Sequence, residues 1–308
     1  MRKRIKDFLI ISRANIQISS LTTAALGIVL AARDWRDLMN VSVVLFIFLF
    51  FIILTFSCNL NCLTDVDVDA KSKIRLSDSV RSLGPAKIKI ILRSEAFLAA
   101  GLCIALAICE KNALYILGLG ALGPGYIYSA PPLRLKKRGW LSLFPVMFGL
   151  YALPPAAGFF LIRGRLSWFI LAFSMGYSLL MEGITLINTC EDYTEDEVSN
   201  IRTLAHVLGI RRTLALGAWL TSAGGAIDLI LILGIKAYGS SVNLLELSGL
   251  IILGAFFAWT VVSIVHVFRR IAQSDDPVAQ SKAYGHLMRI WFLKTRYSLL
   301  IMALLVVG

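Results

Sequence analysis

Asn61, Asp65 and Asp69 stand four residues apart, and so do Asn188, Asp192 and Asp196. Four residues carry an α-helix about 40° past a full turn, so each triple stacks along one helical face and aims three oxygen-bearing side chains the same way. A carboxylate beside hydrocarbon is expensive unless it is paired, hydrated or bound to a cation. Mg²⁺ takes hard oxygen ligands, typically one or two carboxylates together with substrate phosphates. Asp65, Asp69, Asp192 and Asp196 are therefore candidate Mg²⁺ ligands facing a diphosphate. The bland alternative for either triple alone is a solvated helix end.

Cations are placed to meet the same anion. Lys71, Lys73 and Arg75 follow the first triple, Arg202 follows the second, and Arg134, Lys136, Lys137 and Arg138 lie in a connection between them. Lysine neutralises phosphate oxygens as a point charge and arginine does so through a planar fork. Lys136 is the strongest of these candidates, while the others also serve membrane topology. Glu182 lies mid-segment ten residues before Asp192. An ionisable group at that depth is a functional candidate for orienting or deprotonating an acceptor, against a hydrogen-bonded structural role. Glu95 neighbours Arg93 and is read as pairing with a basic group. The five cysteines show neither a disulfide framework nor zinc spacing.

The elements that must position these residues are membrane spans. The chain has 308 residues, 57% hydrophobic and 16% charged, a composition outside the range of soluble domains. Windows of about 20 apolar residues fall at 9–31, 41–62, 88–109, 112–130, 141–162, 167–189, 213–235, 245–267 and 287–307. Nine transmembrane helices joined by short connections form one domain over residues 1–308. The first segment follows a basic start but carries Arg13 and Asn15 and no small-residue cleavage site, so it is read as a retained helix.

Lys and Arg concentrate in the N-terminus and in alternate connections, whereas the opposite set holds only Arg33, Arg36, Lys111, Arg163, Arg165 and Lys236. Positive segments stay cytoplasmic, which places the N-terminus and both acidic triples on that side and the C-terminus on the other. The net charge of +12 suits anionic lipid headgroups and an anionic substrate, and argues for no nucleic acid partner.

These residues resemble the UbiA superfamily of intramembrane prenyltransferases. The resemblance rests on Asn61 to Asp69, on the stretch Tyr128-Ser129-Ala130-Pro131-Pro132-Leu133-Arg134-Leu135-Lys136, and on Asn188 to Asp196 followed by Arg202-Thr203-Leu204. It implies an all-α bundle of nine helices around a central pocket, open to lipid for an isoprenoid tail. It implies Mg²⁺ on Asp65, Asp69, Asp192 and Asp196, and a diphosphate oriented by Asn61 and Asn188. Lys136 and Arg134 would neutralise the leaving diphosphate, with Tyr128 nearby, and Arg13 matches a position where relatives carry arginine. The residues after Asp69 lack the Arg-Pro and Ser-Gly elements of several quinone and chlorophyll pathway members, while Tyr126 to Trp140 is similar to chlorophyll synthases. The acceptor therefore stays open.

The implied function is Mg²⁺-dependent transfer of an isoprenyl group from a polyprenyl diphosphate to an aromatic or other lipophilic acceptor. Two alternatives stand beside it. One is a terpene cyclase, whose carbocation is captured by its own chain. The other is a cation-coupled transporter, which would place its ionisable groups nearer the midplane than these helix-end acids.

Overall fold

Capping residues turn the apolar runs into helices. Asn40 accepts a hydrogen bond from Ser42 N at 3.0 Å and opens α4, Val41–Thr64. Ser167 accepts from Ile170 N at 3.4 Å and opens α10, Trp168–Glu191. Each side chain satisfies an amide that the first turn leaves unpaired. The computed structural model describes residues 2–238 and 244–307, and its helices sort into two compact units.

The first unit comprises Met1–Leu21 and Asn40–Lys137. It holds α1 (Arg2–Ile11), the first turns of α2 (Ala14–Ala31), α4, α5 (Val66–Ser72), α6 (Ile74–Leu83), α7 (Pro85–Cys109) and α8 (Leu122–Ser129). Gly84, at φ +84°, gives the sharp entry to α7, and Pro85 then occupies its first turn without wasting an N–H. The segment expected over 112–130 is a 3-10 helix, Ala113–Ala121, leading into α8. Gly125 of α8 lies against Ser57 of α4, leaving no room for a Cβ.

The second unit comprises Thr22–Met39 and Arg138–Gly308. After the rest of α2 and the single turn α3 (Trp35–Leu38), it continues with α9 (Leu153–Arg163), α10, α11 (Tyr193–Val198), α12 (Leu204–Leu208) and α13 (Ile210–Tyr238). It closes with α14 (Leu244–Gln273), α15 (Pro277–Gly285) and α16 (Leu287–Val307). A π-helical stretch, Pro145–Ala152, precedes α9. Pro154 and Pro155 lack the N–H groups that the carbonyls four residues back would use, a recognised cause of such widening.

Helix α10 is the core of this unit, buried along most of its length. It meets α13 through small residues. A Cβ on Gly183 would stand 2.6 Å from Thr221 N and 2.7 Å from the Gly217 carbonyl oxygen, and one on Gly224 would stand 2.9 Å from Leu180 Cα. Close backbone approach of this kind drives helix association where lipid removes any hydrophobic gain.

Among the described residues six helical stretches are long and apolar enough to cross a membrane, or seven if α1 and α2, bent by 46°, count as one span. Three of the nine expected segments thus differ from a plain apolar helix. The first is broken near Arg13, 112–130 is shorter and partly 3-10, and α16 carries Arg289, Lys294 and Arg296. Aromatic faces accommodate two of those cations: Lys294 Nζ lies 5.2 Å from the Trp259 ring and Arg296 Cζ 4.7 Å from the Phe292 ring.

Gly183→Val should lower thermal stability in detergent by about 1–3 kcal/mol, because the added carbons force α10 and α13 apart. Gly101→Ala, where nothing lies within 4 Å of the new Cβ, should leave the melting temperature unchanged or slightly raised.

Candidate active site

Both acidic triples do stack. In the first, Asp65 N donates to Asn61 O at 3.0 Å, Asp69 N to Asp65 O at 2.8 Å and Lys73 N to Asp69 O at 2.7 Å. In the second, Asp192 N donates to Asn188 O at 3.0 Å and Asp196 N to Asp192 O at 2.9 Å. Helical hydrogen bonding therefore runs through each motif although the ribbon kinks at Asp65 and at Asp192, where α4 passes into α5 and α10 into α11.

The first triple lies in the first unit with most of its predicted partners. Asp65 accepts from Arg134 Nη2 at 2.7 Å on Oδ1 and from Lys136 Nζ on Oδ2. Lys136 Nζ also donates to Asn61 Oδ1 at 2.9 Å, and Arg134 Nη2 to the Thr64 carbonyl at 2.9 Å. Arg134 reaches this position from a left-handed backbone, φ +38°, at the end of the Pro131-Pro132 turn, whose peptide bond is cis. Tyr128 is half-buried on α8, one residue before Ser129.

Asp69 is buried, and its Oδ2 has no hydrogen-bond partner among the described residues. Burial pushes its carboxyl above the usual range, Lys73 pulls it back and the Asp65 charge adds to the rise. Burial likewise lowers the Lys136 ammonium below the usual lysine value, outweighing the opposing pull of Asp65. Arg13 lies beside Cys58 and Cys62 with Asp69 in electrostatic range. The donor set is hard: carboxylate and amide oxygens, one of them orphaned and buried, which is what Mg²⁺ prefers. Among the described residues no three His, Cys, Asp or Glu side chains form a metal cage by themselves.

The second triple belongs to the second unit. Asn188 Nδ2 lies 3.5 Å from Asp192 Oδ2. The segment after it folds back on itself: Ile201 N donates to Asp196 O at 2.9 Å, and Gly139 N to Arg202 O at 2.8 Å. The Arg202 side chain is exposed. Lys282 of α15 pairs with Glu195 at 2.8 Å. Glu182 is buried in α10 and its Oε2 has no hydrogen-bond partner among the described residues. Ten helical residues separate it from Asp192, about 15 Å along the axis, so it stands apart from the carboxylate pair.

Several participants are not among the site residues expected from the sequence, although Ser129 lies within the Tyr128 to Lys136 stretch. Ser129 Oγ donates to Asn61 Oδ1 at 3.3 Å. The His206 ring stacks on Tyr193 at 4.2 Å with an interplanar angle of 5°. Its Nε2 meets the Tyr193 carbonyl at 3.1 Å and its Nδ1 the Thr203 hydroxyl at 2.8 Å. A neutral ring that donates from Nε2 and accepts at Nδ1 satisfies both contacts, and so braces the residue next to Asp192. Glu95 takes Asn59 as its partner, at 2.8 Å, in place of the basic group expected for it.

The chain is similar to several known proteins. Chlorophyll synthase from Avena sativa is 29% identical over 134 residues, 40% of this chain and 35% of that one. The chain therefore spans about a third of the length of that curated relative. A UbiA homolog from Archaeoglobus fulgidus, solved bound to GPP and Mg²⁺, aligns with a TM-score of 0.65 at 16% identity over 96% of this chain and 99% of its own. A structure of digeranylgeranylglyceryl phosphate synthase aligns with a TM-score of 0.66 at 14% identity over 99% of each chain. At such identities these likenesses establish the fold. A model of the UbiA prenyltransferase family matches residues 20–293, and the chain belongs to that family of integral membrane prenyltransferases.

Proposed function

We propose that this prenyltransferase is Mg²⁺-dependent and moves an isoprenyl group from a polyprenyl diphosphate to an aromatic or other lipophilic acceptor. The observation that carries the reading is the cluster at the end of α4. There Asp65 and Asn61 are engaged by Arg134 and Lys136 while Asp69 keeps a buried oxygen open. Asp65 and Asp69, and on the second triple Asp192 and Asp196, would hold Mg²⁺. When bound, the ion supplies Lewis-acid stabilisation of the charge that develops on the departing diphosphate.

The chain's own residues do the rest. Lys136 and Arg134, held on Asp65 before substrate arrives, turn donors toward the departing phosphate oxygens, with Lys73, Arg202 and Arg13 adding charge. Asn61 and Asn188 orient the diphosphate through their amides, and Tyr128 flanks the reacting end. Preorganised donors in a site that excludes water are worth far more than the same groups in solution. Excluding water also protects the carbocation until the acceptor captures it. Glu182, deeper on α10, orients the acceptor.

The GPP and Mg²⁺ bound to the Archaeoglobus fulgidus homolog support the donor class and the metal. The local likeness to chlorophyll synthase supports transfer onto a separate lipophilic acceptor over cyclisation of the donor alone. Nine spans within one domain, N-terminus and acidic triples cytoplasmic, remain the topology we propose, with α16 and the 3-10/α8 segment counted as spans.

Two outcomes test the reading. Purified protein given GPP and a membrane lipid extract should release diphosphate and form a prenylated product with Mg²⁺ present, and should stop with excess EDTA. Asp65→Ala and Asp192→Ala should each lower turnover by about 100-fold or more; full activity in both would refute the metal assignment. His206→Ala should raise the Mg²⁺ concentration needed for half-maximal rate by about 10-fold, since outer partners tune metal ligands on that scale. An unchanged Mg²⁺ titration would show that the Tyr193 brace is irrelevant to the site.

A further inference from the structure

The first helix breaks where a continuous span would need no help. Between α1 and α2, Arg13 holds a positive φ of 50°, a conformation unfavourable for any residue with a Cβ. Such a backbone persists only where its surroundings impose it. A straight helix would satisfy the carbonyls of Ile11 and Ser12 internally, yet here side chains do so. Cys62 Sγ donates to Ile11 O at 3.3 Å, and Gln17 Nε2 donates to Ser12 O. Gln17 Oε1 in turn accepts from Thr55 Oγ1 at 2.9 Å.

A second line of bonds anchors the same turn to α4 and α7. Ser12 Oγ donates to Asn59 Oδ1 at 3.2 Å, and Asn59 Nδ2 donates to Glu95 Oε1 at 2.8 Å. Ser12, Gln17, Thr55, Asn59, Cys62 and Glu95 are all buried, and all belong to the first unit. Placing this many polar side chains in a membrane helix packing is costly unless a specific geometry is being held. What the turn delivers is Arg13, set beside Cys58 and Cys62 and within electrostatic range of Asp69.

We propose that the buried chain Ser12–Asn59–Glu95, with Gln17 and Thr55, positions Arg13 to bind the diphosphate of the donor beside Asp69. Asn59 and Glu95 are thereby positioning residues, outside every motif that marks the site. The proposal rests on the reading of Arg13 as a diphosphate ligand. It commits Glu95 to accepting a hydrogen bond through Oε1, a role that glutamine fills equally well.

The test is the affinity of the full-length protein for GPP in the presence of Mg²⁺, measured by calorimetry. Asn59→Leu and Glu95→Leu should each weaken binding by about 10-fold, while Glu95→Gln stays within about 2-fold of the wild type. Arg13→Ala should weaken it at least as much as Asn59→Leu, and the double variant should be no weaker than Arg13→Ala alone, as for two residues acting through one contact. Should Asn59→Leu fail to fold, Ser12→Ala removes one hydroxyl and makes the same comparison. The proposal is overturned if Arg13→Ala weakens GPP binding but the Asn59 or Ser12 variant does not, or if the two losses multiply. If Arg13→Ala itself binds GPP like the wild type, the assignment of Arg13 to the donor site fails first.

Discussion

Burying the Asp65 carboxylate at the end of a 24-residue apolar helix demands compensating charge, and much of the first unit is arranged around that demand. Two cations converge on it from the connection that follows α8, and one of them, Arg134, takes a left-handed backbone to do so. Asn61 is drawn into the same network by Lys136 and Ser129. Asp69, one helical turn further, keeps an oxygen that no donor reaches among the described residues. Cations and carboxylates are thus gathered at one point of the first unit, which is the arrangement the proposed function draws on.

The second acidic triple stands at the end of a tightly packed helix. Helix α10 is locked against α13 by glycine contacts that admit no side chain, which fixes the course of the segment that carries Asn188 and Asp192. The residues beyond Asp192 are then folded back through Ile201, His206 and Arg202. Around the first motif the cations of Arg134 and Lys136 meet Asp65, and around the second a backbone fold-back, an aromatic stack and the Lys282–Glu195 pair are present.

How far the sequence reveals this depends on the range of each interaction. The four-residue spacing was legible, because helical stacking is a local property, and so were most spans, because apolar length is local too. Lys136 and Arg134 were legible through the motif around Pro131-Pro132. The break at Arg13 was not, since nothing at residues 12–14 opposes helix; the partners that stabilise it lie on α4 and α7. His206 was invisible for the same reason, being thirteen residues from the tyrosine it stacks on. Glu95 shows the converse hazard. Its nearest charge in sequence, Arg93, is not its recorded partner, because residues two apart on a helix face different directions.

The central claim is that the aspartates of both triples capture the donor through Mg²⁺, and a direct test is equilibrium binding of an unreactive donor analogue, geranyl thiolodiphosphate, with and without Mg²⁺. The account predicts that Mg²⁺ strengthens binding to the wild type and that Asp69→Asn and Asp196→Asn each lose most of that gain. Equal affinity with and without Mg²⁺, or an undiminished Mg²⁺ effect in both variants, would contradict it.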